Sequence, residues 1–211
     1  IYAQIRVKST FSKFSRVPTF RGVTGAQAAQ TILRASGIHD VTVELTTGFL
    51  SDHYDPRGKV LRLSESVYAG NSIASVGVAA HEAGHAIQDA MGYAPLKLRG
   101  ALVPVSTIGS NLAWPLLMIG FIFMSQSLIM AGILFFTLAV LFQIITLPVE
   151  FNASSRALAA LPAAGILSDS EVSGARRVLS AAALTYVAAA TAAVLQLLYF
   201  LMRAGLLGRD E

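Results

Sequence analysis

His81-Glu82-Ala83-Gly84-His85 is the stretch of this sequence whose residue types and spacing could do chemistry. On a helix, positions four apart stand one above the other on the same face. His81 and His85 can therefore offer two imidazole nitrogens to one zinc ion at about 2.0–2.1 Å. Glu82 stands beside that face. There its carboxylate can take a proton from a zinc-bound water whose pKa the metal lowers toward about 7, and the resulting hydroxide attacks a peptide carbonyl. The same carboxylate then returns the proton to the leaving amine, acting first as general base and then as general acid. A chance HExxH in a chain of this kind arises at roughly one per cent. The bland reading is a helix turn with incidental histidines. Small flanking residues, a strong helix pattern and the presence of only two other histidines, His39 and His53, weigh against it.

A catalytic zinc needs a third protein ligand and an open fourth position. The chain has no cysteine, so the ligand is a His, Asp or Glu, and neither a thiolate site nor a disulfide framework is available. Two long apolar stretches, joined only by Ser125-Gln126, form an antiparallel hairpin that returns the chain to the side it left. Glu150 stands at the exit of the second stretch, in Pro148-Val149-Glu150-Phe151-Asn152-Ala153-Ser154, and is the expected third ligand. Glu171 is the alternative. The bland role for Glu150 is a helix N-terminal acid that favours the macrodipole.

These groups need elements to hold them. Asn71 or Ser72 opens a helix over about 72–91 that carries the metal motif, ended by Gly92 and Pro95, with Ile73, Val76, Ala80, Ile87 and Met91 as its apolar stripe. Gly84 allows close packing. Upstream, residues 6–21 form a basic entry segment suited to a headgroup region, and Thr24 caps a helix over 25–35 that stops at Gly37. Residues 41–45 and 59–63 alternate as strands, with the polar loop 52–58 between them. His39, beside Asp40 after a helix stop, reads as a cap.

Three spans follow, at 101–124, 127–148 and 178–202, each long enough for a hydrocarbon core of roughly 30 Å. Hydrophobic residues make up 54% of the chain and charged ones 13%. Soluble domains carry about twice that charge, so buried soluble helices are the weaker reading. Pro104, Asn111, Trp114 and Pro115 in the first span suggest that this helix faces a bundle. The organisation expected is thus a basic entry and α+β catalytic domain (1–99), a transmembrane hairpin (100–148), a cytoplasmic loop or helix supplying the third ligand (149–177), a transmembrane helix (178–202) and a tail (203–211). The chain begins with Ile1, so an apolar signal peptide or anchor helix is expected upstream.

The segments Ala80-His81-Glu82-Ala83-Gly84-His85-Ala86-Ile87-Gln88, Asp52-His53-Tyr54-Asp55-Pro56-Arg57 and Leu147–Ser154 resemble the YugP-type family of neutral zinc membrane metallopeptidases. The likeness extends over nearly the whole chain, including 174–179 and 183–188. It implies a bacterial membrane peptidase with one more membrane helix before Ile1, but no known substrate. More distantly the arrangement is similar to HtpX and the CAAX prenyl proteases. There the glutamate ligand is followed four residues later by an aspartate that orients a ligand histidine. Ser154 stands at that position here, so Asp52, Asp55 or a backbone carbonyl could take over the task. The loop before the HExxH helix lies beside the substrate strand in those proteases, which makes His53 and Tyr54 candidates for stabilising the oxyanion. Tyr186, a lone phenol in an alanine-rich span, is another. A loop histidine in a turn and a bundle-packing tyrosine are the bland alternatives.

The combined expectation is a mostly α integral membrane protein with three transmembrane helices and a small α+β zincin-like cytoplasmic domain. It would be a Zn2+-dependent endopeptidase of the HExxH-plus-glutamate (gluzincin) type in the bacterial cell membrane, acting on extended polypeptides of membrane or misfolded proteins. Those would pair with a strand edge near 59–63. Lys97 and Arg99 before the first span, and Arg176 and Arg177 before the third, place the catalytic face toward the cytoplasm, while the far side offers only Arg203 and Arg209, the latter beside Asp210 and Glu211. The scattered basic residues do not form a nucleic-acid stripe. An accessory membrane protein or a homo-oligomer fits the same reading. The rivals are a scaffold or chaperone-like subunit with a structural or vestigial zinc site, and a small transporter suggested only by Asn111 and Gln143 within spans.

Overall fold

The computed structural model describes residues 2–48 and 50–207, so Ile1 and the expected far-side charges Arg209, Asp210 and Glu211 lie outside the described residues. The protein is mostly helical with one small sheet: α1 (Tyr2–Phe14), α2 (Gly25–Ala35), β1 (Thr42–Thr46), β2 (His53–Asp55), β3 (Val60–Ser64), α3 (Glu65–Tyr68), α4 (Ile73–Ala90), α5 (Ala94–Ile122), α6 (Gln126–Ala163) and α7 (Asp169–Arg203). These elements divide into two compact units. The first is Ile1–Tyr93 with Val149–Thr185, and the second is Ala94–Pro148 with Tyr186–Glu211.

In the first unit, α2 begins at a capping box. Thr24 accepts from the Gln27 amide, and the Gln27 side chain accepts from the Thr24 amide, so two otherwise orphaned donors are satisfied. Gly37 ends the helix region with φ 72°, a conformation that costs glycine little. Ser72 caps α4 by accepting from the Ser75 amide. Ala28, Ala29, Ile32 and Leu33 of α2 pack with Val76, Ala79, Ala80 and Ala83 of α4 and with Ala157, Leu161 and Leu179 in one core. Burying such side chains is worth roughly 25 cal/mol per Å² of apolar surface. The stripe expected on α4 is too narrow, because the helix is buried on most of its circumference. Met91, at the C-cap beyond the last turn, is instead 67% exposed.

The strand order is β1-β3-β2, with β1 parallel and β2 antiparallel to β3. Two expectations change here. Part of the polar loop is a strand, because His53, Tyr54 and Asp55 pair with Arg62, Leu61 and Val60. Residues 59–63 also have no free edge for a substrate, since β3 is the central strand and its hydrogen-bonding groups are taken on both sides. The free edges belong to β1 and β2. The basic entry segment is largely the helix α1, anchored by the buried residues Ala3 and Phe11.

In the second unit, α5 and the first part of α6 pack as an antiparallel pair. A β-carbon built on Gly132 would lie 2.7 Å from Leu117, and one on Gly109 would lie 2.8 Å from the Phe135 carbonyl. Small residues let the backbones approach this closely. The turn passes through Met124 at φ 50°. Helix α5 packs on α6 through residues other than Pro104, Asn111, Trp114 and Pro115, on which the bundle-facing expectation rests. Helix α5 runs through both prolines, and its buried stripe is Ser106, Gly109, Ala113, Leu117 and Gly120, while those four residues are exposed. Leu117, Ile129, Ile133 and Phe200 form the local core, and the Trp114 ring meets Phe200 edge-on at 5.7 Å. Three helices, α5, α6 and α7, are long and apolar enough to cross a membrane.

Of the loop or helix expected over 149–177, most is helix. Helix α6 continues to Ala163 and α7 starts at Asp169, so only a short turn at 164–168 divides them.

Candidate metal centre

Helix α4 carries His81, Glu82 and His85, and α6 carries Glu150. One Glu150 carboxylate oxygen lies 3.2 Å from His81 Nε2 and 3.7 Å from His85 Nε2. The imidazoles are stacked edge to face at 4.8 Å, and the three prospective ligand atoms all lie within 4.8 Å of one another. Tetrahedral ligands about 2.0–2.1 Å from a zinc ion stand roughly 3.3 Å apart, so the two short separations suit one shared ion. Glu150 is 3% exposed, and a carboxylate so placed needs cationic compensation. The donor set of two imidazoles and a carboxylate, without thiolate, matches zinc better than the all-oxygen sets that calcium and magnesium prefer.

The sequence brings α6 to this place by packing. Val149, Ala153, Ala157 and Leu161 recur every four residues and are fully buried. Against them Gly84 presents bare backbone, and a β-carbon there would stand 2.5 Å from the Ala153 carbonyl oxygen. The small residue between the histidines is therefore what lets Glu150 reach them. Glu150 also sits well inside α6 rather than in a first turn, which removes the macrodipole role considered for it.

Behind the three prospective ligands lies a set of neutral partners. Ser154 Oγ is 3.1 Å from His81 Nδ1, and Gln88 Oε1 is 3.0 Å from His85 Nδ1. Each ring thus keeps Nε2 for the Glu150 side, the arrangement in which a ligand histidine donates its other N–H to an acceptor. The hydroxyl at 154 does meet a ligand ring. Asp52 and Asp55 do not substitute for it. Asp52 accepts from the Ser64 amide at 2.7 Å, while Asp55 accepts from the Arg57 and Gly58 amides and pairs with Arg62.

Gln88 went unnoticed in the sequence. Its amide nitrogen donates to the Val149 carbonyl at 2.8 Å and to Asn152 Oδ1 at 3.0 Å, so one buried side chain ties α4 to α6 beside both ligands. Arg156 then donates to the same Asn152 oxygen at 2.7 Å. The available signal was spacing, since Gln88 follows His85 by three and shares its helix face.

Burial opposes charge on His85. The hydrogen bond to Glu150, the nearby Glu82 and Glu150 charges and the Gln88 amide outweigh it and hold the imidazole above its ordinary value. A metal at this point would take the proton's place. Glu82 is 8% exposed, and among the described residues no hydrogen bond engages its carboxylate.

The remaining candidates lie elsewhere. Tyr54 donates its hydroxyl to Asp89 at 2.8 Å, and Lys59 donates to the same carboxylate at 2.7 Å. Burial, reinforced by Asp89, pushes the phenol well above its ordinary value, so it remains a protonated donor. His53 is exposed, with Nδ1 2.8 Å from the Ser51 carbonyl. Tyr186 is half-buried on α7 and belongs to the second unit. Glu171 is not in the cluster with His81 and His85; it accepts from the Phe20 and Ser168 amides at the start of α7. His39 is exposed.

This geometry and the sequence agree on a class. Residues 1–205 match the family described as "Putative neutral zinc metallopeptidase", and the chain belongs to that family. It is 50% identical, over 210 residues, to the "Putative membrane protease YugP" of Bacillus subtilis (strain 168), covering 100% of this chain and 93% of that protein. No solved structure matches.

Proposed function

We propose that this protein is a membrane-embedded zinc endopeptidase with its active site on the cytoplasmic face. The observation that carries the proposal is the meeting of His81, His85 and Glu150 around a single point, with Glu82 on the intervening turn. His81 and His85, through Nε2, and Glu150, through its carboxylate, would hold the ion. The zinc would supply Lewis acidity toward water and the scissile carbonyl. Glu82 takes a proton from the attacking water as the new C–O bond forms, then delivers it to the amide nitrogen as the C–N bond breaks. Gln88 and Ser154 keep the imidazoles turned so that Nε2 remains available.

A structural zinc would fill its fourth position with protein. Among the described residues the cluster offers three such ligands, which favours a site that keeps one position for chemistry. The free edge of β2 supports an extended peptide substrate, because Tyr54 joins this strand to α4 through Asp89, one turn beyond His85. The three apolar helices support embedding, and Lys97, Arg99, Arg176 and Arg177 at their ends support the cytoplasmic orientation.

The test is proteolysis by the purified, zinc-loaded protein and its Glu82→Gln variant. Loss of the general base should lower the rate between about 100-fold and 10,000-fold with zinc content unchanged. Equal cleavage by a zinc-retaining variant would end the proposed mechanism.

A further inference from the structure

A groove of about 710 Å³ lies between α1 and the start of α7 and shares no lining residue with the candidate metal centre. Four cationic side chains line it: Arg6 and Lys13 from α1, Arg176 and Arg177 from α7. No acidic residue is in the lining, and among the described residues none of the four forms an ion pair. Residues 6 and 13 are two helical turns apart and so share a face of α1. Helix α1 packs on α7, because a β-carbon on Gly174 would stand 3.0 Å from the Phe14 ring. Four like charges lining one groove give it a positive potential that favours an anion.

The groove also changes character along α7. Arg176 and Arg177 come immediately before the apolar stretch that starts at Val178, and about one and two turns further on Ala181 and Leu184 continue the lining. A ligand that fits this gradient is anionic at one end and apolar at the other. Ser9 and Ser180 add hydroxyls that can donate to phosphate oxygens. We propose that this groove binds the phosphodiester headgroup of an anionic phospholipid, with the acyl chains directed along the apolar part of α7. The assignment rests on α7 being membrane-embedded, but not on zinc or proteolysis. Charge complementarity selects an acidic lipid over a zwitterionic one, and the apolar end selects a lipid over free phosphate.

The test uses the full chain in bilayers of equal parts phosphatidylcholine and phosphatidylglycerol. The protein is then extracted in mild detergent, and its retained lipid is measured by native mass spectrometry. Wild type should retain phosphatidylglycerol preferentially. Each basic group near an anionic surface contributes about a fivefold preference, so Arg176→Gln with Arg177→Gln should lower the enrichment roughly 25-fold. Arg57→Gln, which removes an exposed charge from the turn between β2 and β3, should leave it unchanged. Thermal melting checks that the variants fold.

Equal retention of both lipids by wild type, an unchanged ratio in the double variant, or an equal fall in Arg57→Gln overturns the assignment. So does saturable calorimetric binding of inorganic phosphate that requires Arg176 and Arg177 while no lipid preference appears. Flotation with the vesicles separates the underlying reading from this one. Protein that fails to float removes the membrane reading and the lipid site with it, whereas protein that floats without preference removes the lipid site alone.

Discussion

Gln88 provides a sharp test of how the candidate site is held. Its side chain is fully buried and makes three hydrogen bonds, to His85 Nδ1, the Val149 carbonyl and Asn152 Oδ1. Replacing it by leucine keeps the approximate volume and removes every polar contact. Each such bond contributes about 1 kcal/mol net, and a buried partner left unsatisfied costs about 1–3 kcal/mol more. Asn152 keeps its bond from Arg156, and Val149 belongs to a helix, so the uncompensated loss falls mainly on His85 Nδ1. Gln88→Leu should therefore unfold about 2–4 kcal/mol more easily and bind zinc about 10–100-fold more weakly. The assay is competition with a chromophoric chelator, beside denaturant unfolding of the metal-free protein. Gln88→Glu separates the two effects. A carboxylate accepts more strongly from His85 and should recover most of the metal affinity, yet it cannot donate to Val149 or Asn152 and should leave the metal-free protein destabilised. Wild-type zinc affinity in Gln88→Leu, or equal metal loss in both variants, would refute the positioning role.

Other variants test the remaining contacts. Glu150→Ala should abolish tight zinc binding, measured by metal quantification after dialysis, and full retention would move the third ligand elsewhere. Gly84→Ala places a methyl 2.5 Å from the Ala153 carbonyl, so overpacking should cost about 1–3 kcal/mol by denaturant unfolding and weaken zinc binding as Glu150 is displaced. Tyr54→Phe removes the bond to Asp89 and should cost about 1 kcal/mol of stability; a loss in kcat with KM unchanged would instead return the phenol to the reaction. Glu171 is only slightly buried; burial opposes its charge, but donors at Phe20 and Ser168 hold its pKa below the ordinary 4.5. A carboxyl depressed in the folded state gives stability that is complete above the unfolded value and lost as the pH falls through the folded one. Glu171→Gln should therefore melt below wild type at neutral pH, and the two melting curves should converge in acid.

What the sequence made legible was whatever depends on short-range spacing. The Thr24 cap, the start of α4, the i, i+4 histidines and the long apolar helices all follow from the chemistry of neighbours along the chain. The association of Glu150 with His81 and His85 is long-range, yet it could be anticipated because two apolar stretches joined by a two-residue link leave the chain few places to return. The failures share a cause of the opposite kind. The sheet order could not be inferred from two alternating segments, because the three-residue strand His53–Asp55 has too few residues to show a period, and its pairing to β3 decides which edges stay open. Prolines and polar residues suggested that α5 faces a bundle, but its close contacts are made by the small residues Gly109, Ala113 and Gly120, which hydropathy does not distinguish. Gln88 escaped for a related reason. A glutamine one turn from a helix end reads as solvent-facing until the partner helix is in place, and only the bare backbone at Gly84 lets that helix come close enough to bury it. The residue that admits α6 and the residue that ties it down thus lie on the same helix as the histidines, so an 18-residue segment carries both the proposed chemistry and the docking of the proposed third ligand.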